Sequence, residues 1–299
     1  MWTLVVTAAL ATPTPPLPLP EELACEQGIG QACTVLGHAY LVGEGVPVDR
    51  FRAVQLFRKG CELDDAAACM WLAEAYRTGE GMRLDAKEAV ALYERACGLG
   101  NGVACRSVGD LHTMESVAGT DGRTGGAWYV KGCELGDPQS CTAAALWIER
   151  GDGGTPDLAK SLAFFEKACQ GGHRRGCTML GDRYQRGSDG APKDPIVAYE
   201  WYRTGCTTPF DPEACRVYGE AQIKGRSVPK DVEAGLSNLD RACYMNDVEG
   251  CRALAIALES MDRLAEALMA GQRGCDLGDR TACMVAGRVT ARLGRELTP

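Results

Sequence analysis

The chain has 299 residues, 24% of them charged, and a formal net charge of -8 from 32 Lys+Arg against 40 Asp+Glu. That acidic balance argues against nucleic acid or an anionic membrane surface as the partner, because both call for basic patches. Sixteen cysteines, an even count several times the usual usage, fit full pairing in an oxidising compartment.

The first element is a short apolar run, WTLVVTAALA at 2–11, ending in Ala9, Leu10 and Ala11. It reads as a signal segment over 1–11 with a small-residue cleavage site, although no Lys or Arg precedes Arg50. A Pro-rich linker follows over 12–21. The box EELAC, with Glu22 inside it, is a poor lipidation signal for Cys25. No later segment offers the ~20 uninterrupted apolar residues of a membrane span. The mature chain is therefore expected to be soluble, and periplasmic or secreted.

From Cys25 onward one pattern repeats. The first cysteine of each pair is Cys25, Cys61, Cys97, Cys133, Cys169, Cys206, Cys243 or Cys275, a period of about 36 residues, and the second follows eight or nine residues later. The residue before each first cysteine is always Gly or Ala. The residue four places after each second cysteine obeys the same rule: Gly37, Ala73, Gly109, Ala145, Gly181, Gly219, Ala255 and Gly287. Small residues at fixed register allow close helix packing.

In ACMWLAEAYRTGEG, Cys69, Leu72, Ala73 and Tyr76 form one stripe of an amphipathic helix, here helix A. Gly79 and Gly81 end it, and Asp85 reads as the N-cap of a second helix, AKEAVALYERACGLG, here helix B. Helix B carries Phe57, Tyr93, Tyr129, Phe165 and Tyr202 four residues before its cysteine, then Leu239 and Gly271. MESVAGTDGRTGG in the third repeat, Gln222 and Gly235 in the sixth, and a seventh repeat about four residues short mark places of expected low stability.

The runs LGHAYLVGEGVPVDRFRAVQLFRKGC (36–61) and LGDRYQRGSDGAPKDPIVAYEWYRTGC (180–206) resemble the Sel-one-like repeats, relatives of the tetratricopeptide repeats, in their cysteine-rich secreted bacterial subclass. The expectation is an all-α, right-handed α-solenoid of about seven helix hairpins over 22–294, with a C-terminal tail over 295–299. The resemblance also brings in penicillin-binding or weak β-lactamase activity, with a cell-wall fragment or a β-lactam as ligand, since the subclass is often labelled β-lactamase-like.

Each cysteine pair spans the turn from helix B to the next helix A, which suggests eight disulfides: Cys25–Cys33, Cys61–Cys69, Cys97–Cys105, Cys133–Cys141, Cys169–Cys177, Cys206–Cys215, Cys243–Cys251 and Cys275–Cys283. Closing a loop of about nine residues is worth about 2.6 kcal/mol on the chain-entropy model. Zinc binding is the rival reading, but ligand pairs usually sit two or four residues apart, and the three histidines His38, His112 and His173 fall at unrelated registers. A redox pair would read Cys-x-x-Cys, which is absent. No metal or cofactor is expected.

Chemistry is sparse. Ser227 to Lys230 matches Ser-x-x-Lys but occupies an inter-helix loop, and the companion Ser-Asp-Asn and Lys-Thr-Gly motifs are missing. The glycine-rich GDGG and TGG follow no strand, so they make poor phosphate cradles. Tetratricopeptide-like solenoids line their concave face with helix A, where residues one and five after each second cysteine should point. Met70, Glu74, Arg106, Asp110, Asp182, Arg216 and Glu220 are therefore the candidate partner-binding residues, with Thr34, His38, Thr142, Leu146, Thr178, Arg252 and Ile256 at the same registers. The plainer alternative is that Arg106 with Asp110, and Arg216 with Glu220, are solvated i,i+4 pairs worth a few tenths of a kcal/mol. The expected function is a scaffold binding a protein, a peptide or a cell-wall fragment; the oligomeric state stays open.

Overall fold

The computed structural model describes residues 20–113, 122–188, 190–207 and 209–296. Residues 1–11, expected above to be a signal segment, most of the Pro-rich 12–21, much of MESVAGTDGRTGG and the last three residues lie outside that range. The described residues form sixteen α-helices and no strand. They fall into two units that meet between Leu99 and Gly100.

In the first unit, α1 (Pro20–Glu26) precedes two hairpins: α2 (Gly30–Val42) with α3 (Arg50–Glu62), and α4 (Ala66–Thr78) with α5 (Ala86–Gly98). The second unit holds five hairpins: α6 (Gly102–Thr113) with α7 (Gly122–Glu134), α8 (Pro138–Arg150) with α9 (Leu158–Gln170), α10 (Arg174–Arg186) with α11 (Pro195–Gly205), α12 (Pro212–Lys224) with α13 (Val232–Tyr244), and α14 (Val248–Ser260) with α15 (Leu264–Asp276). Helix α16 (Arg280–Glu296) closes it. Even-numbered helices are A helices and odd-numbered ones B helices. The fold is a helix-hairpin solenoid.

Local chemistry sets the boundaries. Helix α4 ends at Gly79, whose φ of 76° and ψ of 18° suit a residue without Cβ, and its N–H bonds back to the Ala75 carbonyl. Helix α5 starts at Asp85, whose carboxylate accepts from the Lys87 and Glu88 N–H groups. Aspartate caps the B helices again at Asp49, Asp157, Asp194 and Asp231. The short seventh repeat dispenses with this loop: α14 passes to α15 through Met261, Asp262 and Arg263, with Asp262 at φ 63° and no side-chain cap at Arg263.

Two contacts define the packing. Within a hairpin, the B-helix aromatic ring lies on the small A-helix residue. A Cβ added at Gly37, Gly109 or Gly181 would sit 2.6 Å from Phe57, Tyr129 or Tyr202. Between hairpins, the residue before the first cysteine meets the residue before the second, and one of the two is glycine at the pairs Cys61–Cys69, Cys133–Cys141, Cys169–Cys177, Cys206–Cys215, Cys243–Cys251 and Cys275–Cys283. Added Cβ atoms at Gly60, Gly176, Gly205 and Gly274 would lie 2.7, 2.7, 2.8 and 2.7 Å from the Cβ atoms of Ala68, Ala168, Ala214 and Ala282.

That approach brings the cysteines together. Seven pairs, Cys25–Cys33, Cys61–Cys69, Cys133–Cys141, Cys169–Cys177, Cys206–Cys215, Cys243–Cys251 and Cys275–Cys283, are bonded with Cα atoms 4.4 to 4.8 Å apart. No described cysteine is free. In the sixth repeat, Gly235 replaces the usual alanine and faces Gly219, where an added Cβ would meet the opposite carbonyl at 2.7 Å. Gln222 accepts a hydrogen bond of 2.7 Å from Asn238. These residues give α12 and α13 a close polar contact in place of an aromatic one.

Gly60→Ala separates packing from propensity. Alanine favours a helix interior over glycine by about 0.5–1 kcal/mol, yet the clash with Ala68 is expected to destabilise by about 1–3 kcal/mol. Urea unfolding should show the loss, and adding Ala68→Gly should recover most of it; a stabilised single variant would contradict this packing.

Candidate functional site

In six of the repeats the residue after the second cysteine turns out to be a connector. Its side chain reaches the N-cap residue of the next A helix in the series. The Thr34 hydroxyl donates to Asp65 at 2.7 Å, Arg106 Nε to Asp137 at 3.0 Å, the Thr178 hydroxyl to Asp211 at 3.0 Å and Arg252 to Asp279 at 2.9 Å. Arg216 pairs with Asp247 at 3.4 Å, and Thr142 meets Nδ1 of His173, which takes the aspartate's place, at 2.7 Å. The same aspartates cap their own helices, as Asp65 does for the Ala68 N–H and Asp137 for that of Ser140. One carboxylate thus joins two repeats while closing one helix end.

The residue five after the cysteine is tied within its hairpin. The Tyr93 hydroxyl donates to Glu74, Tyr129 to Asp110 at 2.8 Å and Tyr202 to Asp182 at 2.7 Å. Where helix B carries Phe57 or Phe165 instead, the partner position holds His38 or Leu146. A tyrosine hydroxyl on helix B thus always meets an acid, whereas the acid Glu220 stands opposite Leu239.

These ties shift the groups' titration. The Arg77 hydrogen bond holds the Glu74 carboxyl below its ordinary 4.5, burial opposes it, and the Tyr93 hydroxyl adds to the lowering. Burial pushes the Tyr129 hydroxyl up to about 12, Thr113 opposing and Asp110 adding. Burial, then Asp182, raises Tyr202.

The sequence-based expectation of a partner-reading row thus meets intramolecular partners at most positions. Arg106 is held by Asp137, with Asp110 a further 3.9 Å contact. Asp182 also lies near Arg186, at 3.5 Å. Arg216 sits among Glu213, Glu220, Asp247 and Glu249. Met70 occupies the connector register of α4 and is partly buried.

A groove lies in the second unit between α12 and α14. A cavity of about 380 Å³ there has Ile223, Leu239, Ala253, Ile256 and Ala257 as its apolar lining, with Glu220, Lys224, Glu249 and Arg252 around them. Ile256 is 44% exposed, far more than a core residue of this size. The Lys224 ammonium bonds Glu220 at 2.7 Å and forms a wall shared with a smaller cavity of about 210 Å³ that includes Arg216 and Arg226. Of the candidates, Arg216 and Glu220 come together here. Ile223, Lys224 and Arg226 were not singled out by register, although three cations in KGRSVPK were a readable signal.

Among the described residues no cluster of His, Cys, Asp and Glu could hold a metal ion, and no described helix is long and apolar enough to cross a membrane. Ser227 stands in the loop between α12 and α13 with φ 56°, away from any helix start.

Five stretches, residues 30–65, 66–101, 138–173, 175–207 and 212–247, match the family profile described as Sel1 repeat, and together they take up more than half of the chain. The chain belongs to the Sel1 repeat family. No curated protein matches it. Among solved structures, the Sel1 repeat solenoid is similar to c5321, a protective antigen present in uropathogenic Escherichia coli strains displaying an SLR fold. The TM-score is 0.69 at 23% identity, covering 90% of this chain and 58% of that one. The chain thus spans little more than half the length of that structure. A Sel1 repeat protein from Oxalobacter formigenes gives a TM-score of 0.60 at 25% identity, covering 72% of this chain and 86% of that one.

For these Sel1 repeats the hydroxyl–acid ties are testable. Tyr202→Phe is expected to lower stability by about 1 kcal/mol in urea unfolding. A depressed carboxylate gives stability above its unfolded value and loses it as pH falls through the folded one, so the Glu74 share should fade below about pH 4.5, the ordinary value. Glu74→Gln should flatten that part of the acid profile. For Tyr129 the sign reverses: its share holds below pH 10 and is lost as pH rises towards 12. Unchanged profiles in Glu74→Gln and Tyr129→Phe would contradict the ties.

Proposed function

We propose that this Sel1 repeat chain is an exported scaffold that binds a protein or peptide segment in the groove between α12 and α14. The observation that carries this reading is Ile256, an exposed aliphatic side chain set among apolar neighbours and ringed by charges, the layout of an anchor pocket with a polar rim. The cysteines support export, because seven disulfides within the two units persist in oxidising compartments. In this reading residues 1–11 direct export, 12–21 link, and 22–294 form the body.

A peptide suits the groove better than a cell-wall fragment, whose sugars would favour flat aromatic platforms over an aliphatic floor. The β-lactam reading has no residue set to carry it: Ser227 lacks a helix start and the companion motifs.

The test is capture of a protein from an envelope extract by immobilised chain, beside Ile256→Asp. Wild type should retain a segment that Ile256→Asp loses, with both chains melting alike, since the substituted side chain is exposed. Equal retention would contradict the groove. Turnover of a chromogenic cephalosporin above that of a Ser227→Ala control would favour the hydrolase instead.

A further inference from the structure

The two cavities flanking α12 differ in charge. In the larger one, Glu220 and Glu249 face Lys224 and Arg252, and both cations are already engaged: Lys224 by Glu220 at 2.7 Å, and Arg252 by Asp279 at 2.9 Å and Glu249 at 3.4 Å. In the smaller one Arg216 is engaged by four carboxylates. Arg226, which lines that cavity, joins no ion pair among the described residues and is exposed. Lys230 is equally exposed and unpaired there, its Cβ 3.1 Å from the position a Cβ would take at Gly225. Between the end of α12 and the cap Asp231, the loop GRSVPK carries two cations and no acid. On a chain of net charge -8 this is a local reversal of sign, placed next to the apolar groove.

We infer that the groove selects a peptide segment in which an aliphatic or aromatic residue is flanked by acidic ones, the apolar side chain lying against Ile256 and the acidic neighbour facing Arg226 and Lys230. The inference rests on the peptide-binding reading above and adds the chemistry of the partner. The apolar contact supplies the affinity, whereas the exposed cations act mainly on association rate and choice of partner. The overall charge makes the opposite prediction. A surface of -8 attracts cationic peptides without specificity, so preference for an anionic one reports the local site.

Two fluorescein-labelled peptides test this, one with a Leu-Phe pair flanked by Asp and Glu, the other with the same pair flanked by Lys and Arg, each titrated with full-length oxidised chain in a fluorescence anisotropy assay. The acidic peptide is expected to bind about tenfold more tightly than the basic one, and to weaken as salt screens the cations. The double variant Arg226→Glu with Lys230→Glu should abolish that preference, and Ile256→Asp should abolish binding of both peptides. Both loop positions are exposed, and circular dichroism melting checks that the variants fold. If the basic peptide binds better, or the loop variant leaves the preference unchanged, the charge inference is overturned while binding that depends on Ile256 keeps the groove. If neither peptide binds in a way that depends on Ile256, the groove itself is overturned.

Discussion

The backbone approach of each B helix to the next A helix constrains everything else in this protein. It happens where the residue before one cysteine meets the residue before its partner, and five such contacts leave under 3 Å between an alanine Cβ and the place a glycine Cβ would occupy. Only small residues, glycine or alanine facing glycine, alanine or serine, occupy these positions. Once the backbones are that close, the neighbouring cysteines fall within disulfide reach, and the next A helix must begin within a few residues of the bond. A cap suits that point, and aspartate provides it at α4, α8, α12 and α14. The connector from the preceding repeat finds the same carboxylate.

A consequence for function is that the repeat consumes its own polar surface. Side chains on a face that looks available for a partner are engaged in holding the next repeat or the hairpin: Thr34 and Arg106 on caps, Glu74 and Asp182 under tyrosine hydroxyls. Even Arg183 is buried, paired with the half-buried Glu149 and with its guanidinium 4.3 Å over the Phe165 ring. The groove proposed for recognition lies where the pattern fails. At α14 the register five after the cysteine holds Ile256, with no tyrosine opposite and no acid to meet one, and the side chain stays exposed in a groove. Next to it, the loop after α12 carries cations that the fold does not use.

The solenoid was legible because its determinants are local and periodic. The cysteine spacing, the Gly or Ala columns and the Gly-then-Asp loop are each read within one repeat, and together they give the hairpins and their order. The aromatic column was legible too, but its meaning needed a second column, since Tyr93 with Glu74 and Phe165 with Leu146 make sense only as pairs 19 residues apart. The connector was harder. Thr34 and Asp65 are 31 residues apart, and an arginine, a threonine or a histidine all serve somewhere in that link. Residue type at that register therefore varied as a recognition surface would, and the variation had a structural cause. The groove depends on two A helices lying side by side, so Ile223, Lys224 and Ile256 share a cavity that no register count brings together.

The central claim is that A-helix positions divide into those committed to the solenoid and those left for a partner. Site-specific photocrosslinking tests it most directly, with a photoreactive residue placed in turn at Ile256, Glu74 and Asp182 in chain exposed to its captured segment. Crosslinks from position 256 with little from 74 or 182 are the predicted result. Crosslinks of equal yield from all three, or from 74 and 182 alone, would contradict the account.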